Sequence, residues 1–371
     1  SARERAAAIG RTSVVVIAAC AGLVYVFLNF SGFIRANLPY VGHWDEPYLS
    51  GPAANILKTN NFNPQHFYYP ALPIYVTTFG MALGYLQDVV ANGLYSPEDL
   101  GRFDFPSYER PLVALYAKMI FMLAGLGCIV IVMVIVCNES RNIYLTLLVT
   151  PLFLCSYYLV HQTKLYMNVD IVASFFAMLC LCYALVVSRL TIAGSAFYGW
   201  VVPAVLCGLV ISSKYNYFPI VFPFLYLYVK HHPRWKEAAV FFLLATAAVF
   251  LLVNPYIFPD FSKFLYYTAV QMQAYGSGLP GLESEPGLEQ LLYHLKSIAD
   301  NFSVVFCLCA VGGMVWLCRK KREHFLVMAS FFVPYVALVS SQRLHYLRNF
   351  LTIYLLSMVF ACLGVYAFYG L

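Results

Sequence analysis

Apolar runs of about 17 to 25 residues recur along this chain from residue 12 to residue 370, each long enough to cross the hydrocarbon core of a bilayer as a helix. In lipid every backbone N–H and C=O must be satisfied within the protein, so only helices or a closed barrel can span. A barrel would read as short alternating segments. These runs are continuous. The rest of the composition agrees: 61% of residues are hydrophobic and 11% charged, with mean hydropathy +0.72. The sequence predicts an all-α polytopic membrane protein.

Charge orients the spans. Arg3, Arg5 and Arg11 precede the first run, at 12–34, and place the N-terminus in the cytoplasm. That run is too long for the apolar core of a removed signal peptide. The stretch 71–91 holds Pro73, Gly80, Gly84 and Asp88 and reads as a helix lying on, or dipping into, the outer face. The remaining spans then fall at 108–137, 142–160, 170–189, 195–212, 216–230, 238–254, 301–318, 324–341 and 348–370, ten in all with the first. This parity gives the cytoplasmic side 12 basic residues, among them Arg141, Arg189, Lys230, Arg234, Lys236 and Arg319–Arg322, against 4 acids. Letting 71–91 span would turn the basic clusters outward, against the positive-inside rule.

One domain, 1–371, is expected. It comprises a core module at 12–254 with a long first outer loop at 35–107 carrying interfacial helices, a second outer loop at 254–300, and C-terminal helices at 301–371. Ser1 is not a start residue and Leu371 closes an apolar run, so a soluble C-terminal part is expected beyond it. The eleven cysteines lie in or beside apolar runs and read as small packing residues, not as a disulfide framework.

Under this topology polar clusters scattered in sequence meet on the outer side. Asp45-Glu46 opens the first loop, in GHWDEPYLSG. HQTKLYMNVD, 161–170, joins two spans and ends in Asp170; SSKYN, 212–216, interrupts an apolar run with Lys214; SQRLHYLRN, 341–349, carries Arg343, His345 and Arg348. Charges at a membrane boundary are costly and mark function. A carboxylate beside a hydroxyl can act as general base. Lys and Arg can hold a phosphate leaving group whose charge grows as its bond breaks. A sugar linked to a polyprenyl phosphate would reach such a site laterally from the bilayer, and an inverting displacement needs only one base and a stabilised leaving group. Asp45 also suits a helix N-cap, Asp170 the cap of the helix it opens, and Lys118, about 15 Å into its span, an ion pair between helices.

The order of these elements carries a resemblance: an acid pair after the first span, a proline-rich end to the first loop, an acid opening a later span, the G-x-x-x-S-S-K-Y-N element and a terminal Arg-rich turn. It resembles the GT-C superfamily, in particular the bacterial lipid-carrier-dependent glycosyltransferases related to protein O-mannosyltransferases and aminoarabinose transferases. The resemblance covers about 12–360 and rests on short motifs. It implies a GT-C-like fold and a glycosyltransferase of a bacterial plasma membrane, its site facing outward. Asp45 falls on the catalytic acidic position with Glu46 beside it, and Asp170 on the second acid. Lys214, Arg343, Arg348 and Lys164 are the candidates for donor phosphate. His43, Tyr69, Tyr166 and Tyr215 are those for sugar or acceptor. The family's lysine near the end of the first loop is missing, since that stretch reads HFYYPALP, and Lys58 or Lys164 would have to replace it. The implied partners are a lipid-linked sugar donor, membrane lipids and a glycan, glycolipid or protein acceptor. His43, His66, His161, His294 and His345 would face the same side, and a divalent metal ion stays open as cofactor.

Other classes find less support. The chain lacks a Walker-type loop and a basic aromatic arm for nucleic acid. The competing reading is a secondary transporter or lipid flippase using Asp170, Lys118 and Lys214 along one path. It would place acids near mid-membrane on broken helices, whereas here the acids gather at one face.

Overall fold

A computed structural model describes residues 2–93, 96–103, 106–164, 167–188 and 197–370. Among them the chain is helical throughout, with isolated β-bridges only. The helices are α1 (Ala2–Asn37), α2 (Pro47–Thr59), α3 (Ala71–Asn92), α4 (Pro111–Ser140), α5 (Thr146–Cys155), α6 (Tyr157–Lys164), α7 (Val169–Val187) and α8 (Val202–Ser213). They continue with α9 (Phe222–His231), α10 (Trp235–Val253), α11 (Phe261–Ser277), α12 (Leu288–Phe302), α13 (Val304–Lys320), α14 (Arg322–Ser340) and α15 (Leu351–Tyr369). The predicted all-α membrane class is the one observed.

The count of ten spans is not established. Among the described residues six helices are long and apolar enough to cross a membrane, or eight if two bent pairs are each one span. The run 142–160 breaks at Ser156 into α5 and α6, inclined by 80°, and α12 meets α13 at 113°. The run 216–230 opens as a 3-10 turn over Tyr215–Val221 before the short α9. Pro219 and Pro223 in that stretch each remove a backbone donor. Helix α3, expected on the outer face, packs antiparallel on the first turns of α4. A Cβ on Gly80 would stand 2.6 Å from Ala117 Cα, and one on Gly84 2.6 Å from Val113 Cα. Small residues admit the same approach at the centre of the bundle, where α15 is nearly enclosed: a Cβ on Gly313 of α13 would lie 1.9 Å from the Phe360 carbonyl, and one on Gly364 1.9 Å from that of Cys309.

Polar residues sort to two ends. At one, Glu139 is enclosed at the end of α4 and bonded to Lys321 (3.2 Å) and His324 Nδ1 (2.7 Å), with Lys230 and His231 on Glu323 nearby in sequence to that turn. At the other, Lys118 of the same helix meets the Asp45-Glu46 loop. Twenty-one residues of α4 separate these positions, about 32 Å at helical rise. Of the basic residues the parity argument uses, Arg189 lies outside the described residues.

Candidate functional site

Four chain breaks build the site. The first follows α1, where His43 to Glu46 turn tightly into α2: the Asp45 N–H donates to His43 Nδ1 at 3.1 Å and the Glu46 N–H to the His43 carbonyl at 3.1 Å. This turn sends adjacent acids in opposite directions. Asp45 lines two cavities, while Glu46 is fully enclosed.

Glu46 is an anchor. Its Oε2 accepts the Gly42 N–H at 3.0 Å and the Tyr108 hydroxyl, and its Oε1 accepts the Met167 N–H at 3.0 Å and faces Lys118 Nζ at 3.1 Å. Burial pushes its carboxyl above the ordinary value, and Lys118, then Tyr108 and Gly42, draw it back. Both oxygens are therefore committed, and the bond to Met167 ties the Asp45 loop to the segment that presents Asp170. Grouping Glu46 with the catalytic acids does not match this placement.

Asp170 is in the first turn of α7. Asn168 is the cap of that helix, its Oδ1 accepting the Asp170 N–H at 2.8 Å, so the Asp170 side chain is released from capping. It is wholly buried and hydrogen-bonded to Lys214 Nζ. Lys214 occupies an extended residue between α8 and the following 3-10 turn and also donates to Asn349 Oδ1 at 2.6 Å. An ammonium has three donors; two are used here. Arg348, in the 3-10 turn before α15, pairs through Nη1 with Asp45 and lies 3.7 Å through Nε from Asp170 Oδ2. Its guanidinium covers the Tyr346 ring at 4.3 Å. Two acids and two cations thus alternate in space, Asp45–Arg348–Asp170–Lys214. Asp170 Oδ2 and Asn349 Nδ2, both buried, accept or donate no hydrogen bond among the described residues.

Two cavities are each lined by Asp45, Tyr346 and Arg348. The first, about 360 Å³, holds Lys214, the rings of Tyr48, Tyr68, Tyr69 and Tyr275, and apolar wall from α11. The second, about 480 Å³, holds His43, Trp44, Gln162, Tyr158, Tyr293 and His345. Both fall within the range of small-molecule sites, about 300–1,000 Å³. Helix α11 closes the first cavity with Val270, Gln271, Ala274 and Tyr275 and is tied down by the Gln271 amide on the Tyr68 carbonyl at 2.5 Å.

Of the residues singled out by sequence, Asp45, Asp170, Lys214, Arg348, His43 and Tyr69 are brought together. Lys164 is not: its ammonium lies 4.3 Å over the Phe33 ring, between helices. Lys58 donates to the Gly101 carbonyl at 2.7 Å, so neither lysine replaces the one missing from HFYYPALP. Arg343 faces Glu285 at 3.4 Å, half-exposed, and Tyr215 packs on Phe250 and Phe264. Tyr166 lies outside the described residues. Sequence reasoning passed over Asn349 and Tyr346, although both stand in the quoted SQRLHYLRN turn, and Tyr275 just before the glycine-rich segment. Asn349 was legible in principle as a second partner for any cation held by that turn.

Among the described residues no group of three or more His, Cys, Asp or Glu is placed to hold a metal ion. Each site acid already faces a cation. This donor set does not fit a divalent ion, so no step is derived through one.

The family model described as Glycosyltransferase family 87 matches residues 111–341, more than half of the chain. Comparison with curated protein sequences finds no match. Among solved structures, ArnT from Cupriavidus metallidurans bound to undecaprenyl phosphate superposes with a TM-score of 0.61 at 14% identity, over 95% of this chain and 60% of that one. The Archaeoglobus fulgidus oligosaccharyltransferase in its apo form gives 0.57 at 14% identity, over 95% and 50%. The same organism's oligosaccharyltransferase AglB, in complex with an inhibitory peptide and a dolichol-phosphate, gives 0.52 at 12% identity, over 95% and 50%. The chain therefore spans half to three-fifths of the proteins whose fold it shares.

Proposed function

The chain belongs to glycosyltransferase family 87, and from that premise we propose that it moves a sugar from a polyprenyl-phosphate-linked donor to an acceptor hydroxyl by a single inverting displacement. The observation that carries this reading is the Asp45–Arg348 pair lining two cavities at once, with Lys214 in the lining of only one of them.

In this assignment the first cavity takes the donor. Its phosphate meets the third N–H of Lys214 and the remaining N–H groups of Arg348, and its sugar lies against the tyrosines. The second takes the acceptor. Asp45 accepts the acceptor's hydroxyl proton while the oxygen attacks the anomeric carbon from the face opposite the phosphate. The bond from that carbon to the phosphate oxygen breaks with its electron pair on the phosphate, where the two cations offset the growing charge. Asp170 holds Lys214 and Arg348 in place, and Glu46 holds the Asp45 turn.

Neighbouring folds in complex with undecaprenyl phosphate and dolichol-phosphate support a lipid-phosphate carrier. Lys321, on Glu139, marks the end of α4 away from the site, and Lys230 pairs with Glu323, two residues beyond Lys321. By the positive-inside rule that end is cytoplasmic and the site faces outward; a bacterial plasma membrane is what the resemblance to the GT-C glycosyltransferases implies. The transport reading loses ground because Lys118 and Lys214 are tied to different acids, Glu46 and Asp170.

Lys214→Met tests the phosphate role. Removing a preorganised charge from the leaving group is expected to lower kcat by about 10²–10³-fold and to weaken inhibition by a free polyprenyl phosphate in parallel. Unchanged inhibition with lowered turnover would remove Lys214 from the donor site.

A further inference from the structure

A buried carboxamide next to the first cavity has no task in the transfer step described above. Asn349 is wholly buried, and its Oδ1 accepts from Lys214 Nζ at 2.6 Å. An ammonium only donates, so the oxygen must face it and the amide has one orientation. The backbone at 349 is fixed as well: its N–H donates to the Tyr346 carbonyl at 3.0 Å, and its carbonyl accepts the Tyr335 hydroxyl of α14 at 2.5 Å. The next residue, Phe350, stacks on His294 of α12 at 3.8 Å with 10° between the planes. Lys214 is thus gripped from two elements, by Asp170 at the start of α7 and by Asn349 in the turn before α15, while it also lines the first cavity.

This arrangement is a poor one for stability alone. Nδ2 of the same amide and Oδ2 of Asp170 are buried and make no hydrogen bond among the described residues, and a buried polar atom left unpaired is costly. An apolar residue of the same shape would avoid that cost at 349, but it would release Lys214 from one of its two fixed contacts. An acid would hold the ammonium more strongly, but it would add a third carboxylate to Asp45 and Asp170 around Lys214 and Arg348. A neutral acceptor fixes Lys214 and leaves its charge for an incoming anion. We propose that Asn349 is the positioning residue for Lys214: its carboxamide oxygen aims the remaining N–H of the ammonium into the first cavity, and its neutrality keeps that N–H available to a phosphate. This inference rests on the assignment of the first cavity to the donor.

Binding of undecaprenyl phosphate to the full chain in lipid nanodiscs tests this without turnover. Asn349→Leu, which keeps the shape and removes the oxygen, is expected to weaken binding about tenfold. Asn349→Asp keeps both shape and acceptor. Protonated, its carboxyl presents the same carbonyl oxygen and one donor; ionised, it competes with the phosphate for Lys214. Burial and Asp170 favour the protonated form there, and Lys214 and Arg348 oppose it. The affinity of Asn349→Asp relative to the parent should therefore rise as pH falls, a ratio from which the phosphate's own titration cancels. A merely structural role would give a constant ratio. Parent-like binding by both variants, or a loss in Asn349→Asp that does not change with pH, overturns the proposal. Thermal midpoints control for folding, and where Asn349→Leu unfolds, the pH ratio of Asn349→Asp decides. Lys214→Met separates the two levels. Weakened binding there, with both Asn349 variants like the parent, defeats the positioning role alone; unaltered binding in Lys214→Met defeats the donor assignment and this proposal with it.

Discussion

Replacing Asp45 with asparagine is expected to lower kcat by about 10²–10⁴-fold, the range for loss of a positioned general base. The substitution keeps the side chain's shape and an oxygen for Arg348 Nη1, but an amide does not take up the hydroxyl proton. Binding should change less than turnover, because the rest of the lining of both cavities, Lys214 included, is left intact. The measurement is initial rate against both substrates, with the thermal midpoint as a control for folding. A loss below about tenfold would show that proton removal is not Asp45's task.

Lys118→Met is the second large effect, and it falls on stability. Lys118 is 4% exposed and Glu46 is wholly enclosed, so removing the ammonium leaves a buried carboxylate with its strongest partner gone. Breaking a buried pair from one side typically costs about 3–5 kcal/mol. Three donors remain on Glu46, from Gly42, Tyr108 and Met167, which places the expected loss toward the lower figure. Glu46→Gln combined with Lys118→Met removes both charges and should recover most of the loss. Denaturation of the four proteins in one detergent reads this directly. Additive losses in the double variant would mean that the two residues act independently.

The site was legible in sequence where polarity interrupts an apolar run, because burying such residues in a bilayer is expensive and their positions carry information. Asp170, Lys214 and Arg348 all sit at helix starts or breaks for this reason. What separates Asp45 from Glu46 was not legible. Both are acids in one short turn, and their roles diverge only because Tyr108, Lys118 and Met167, 62 to 121 residues away, close around Glu46. Arg343 and Arg348 share a loop in the same way. The strand-like bridge between Glu283 and Leu344 and the bond from the Arg343 N–H to the Tyr275 carbonyl hold the backbone at 343, while the side chain reaches outward to Glu285.

The fold class was readable from run length alone, and the order of motifs pointed to the GT-C superfamily, not to family 87 within it. The number of crossings was not readable, since composition cannot distinguish one span from two short helices bent by 80° at Ser156. Nor does local pattern show that α11, far along the chain, walls a cavity whose acid comes from the first loop.

The central claim is best tested by transfer with the purified full chain in lipid nanodiscs, comparing hexoses and pentoses presented on a polyprenyl phosphate with the same sugars presented on nucleotides. The account predicts product from a lipid-linked donor, with inverted anomeric configuration, and none from the nucleotide sugars. Turnover of a nucleotide sugar while every lipid-linked donor stays inert would contradict it.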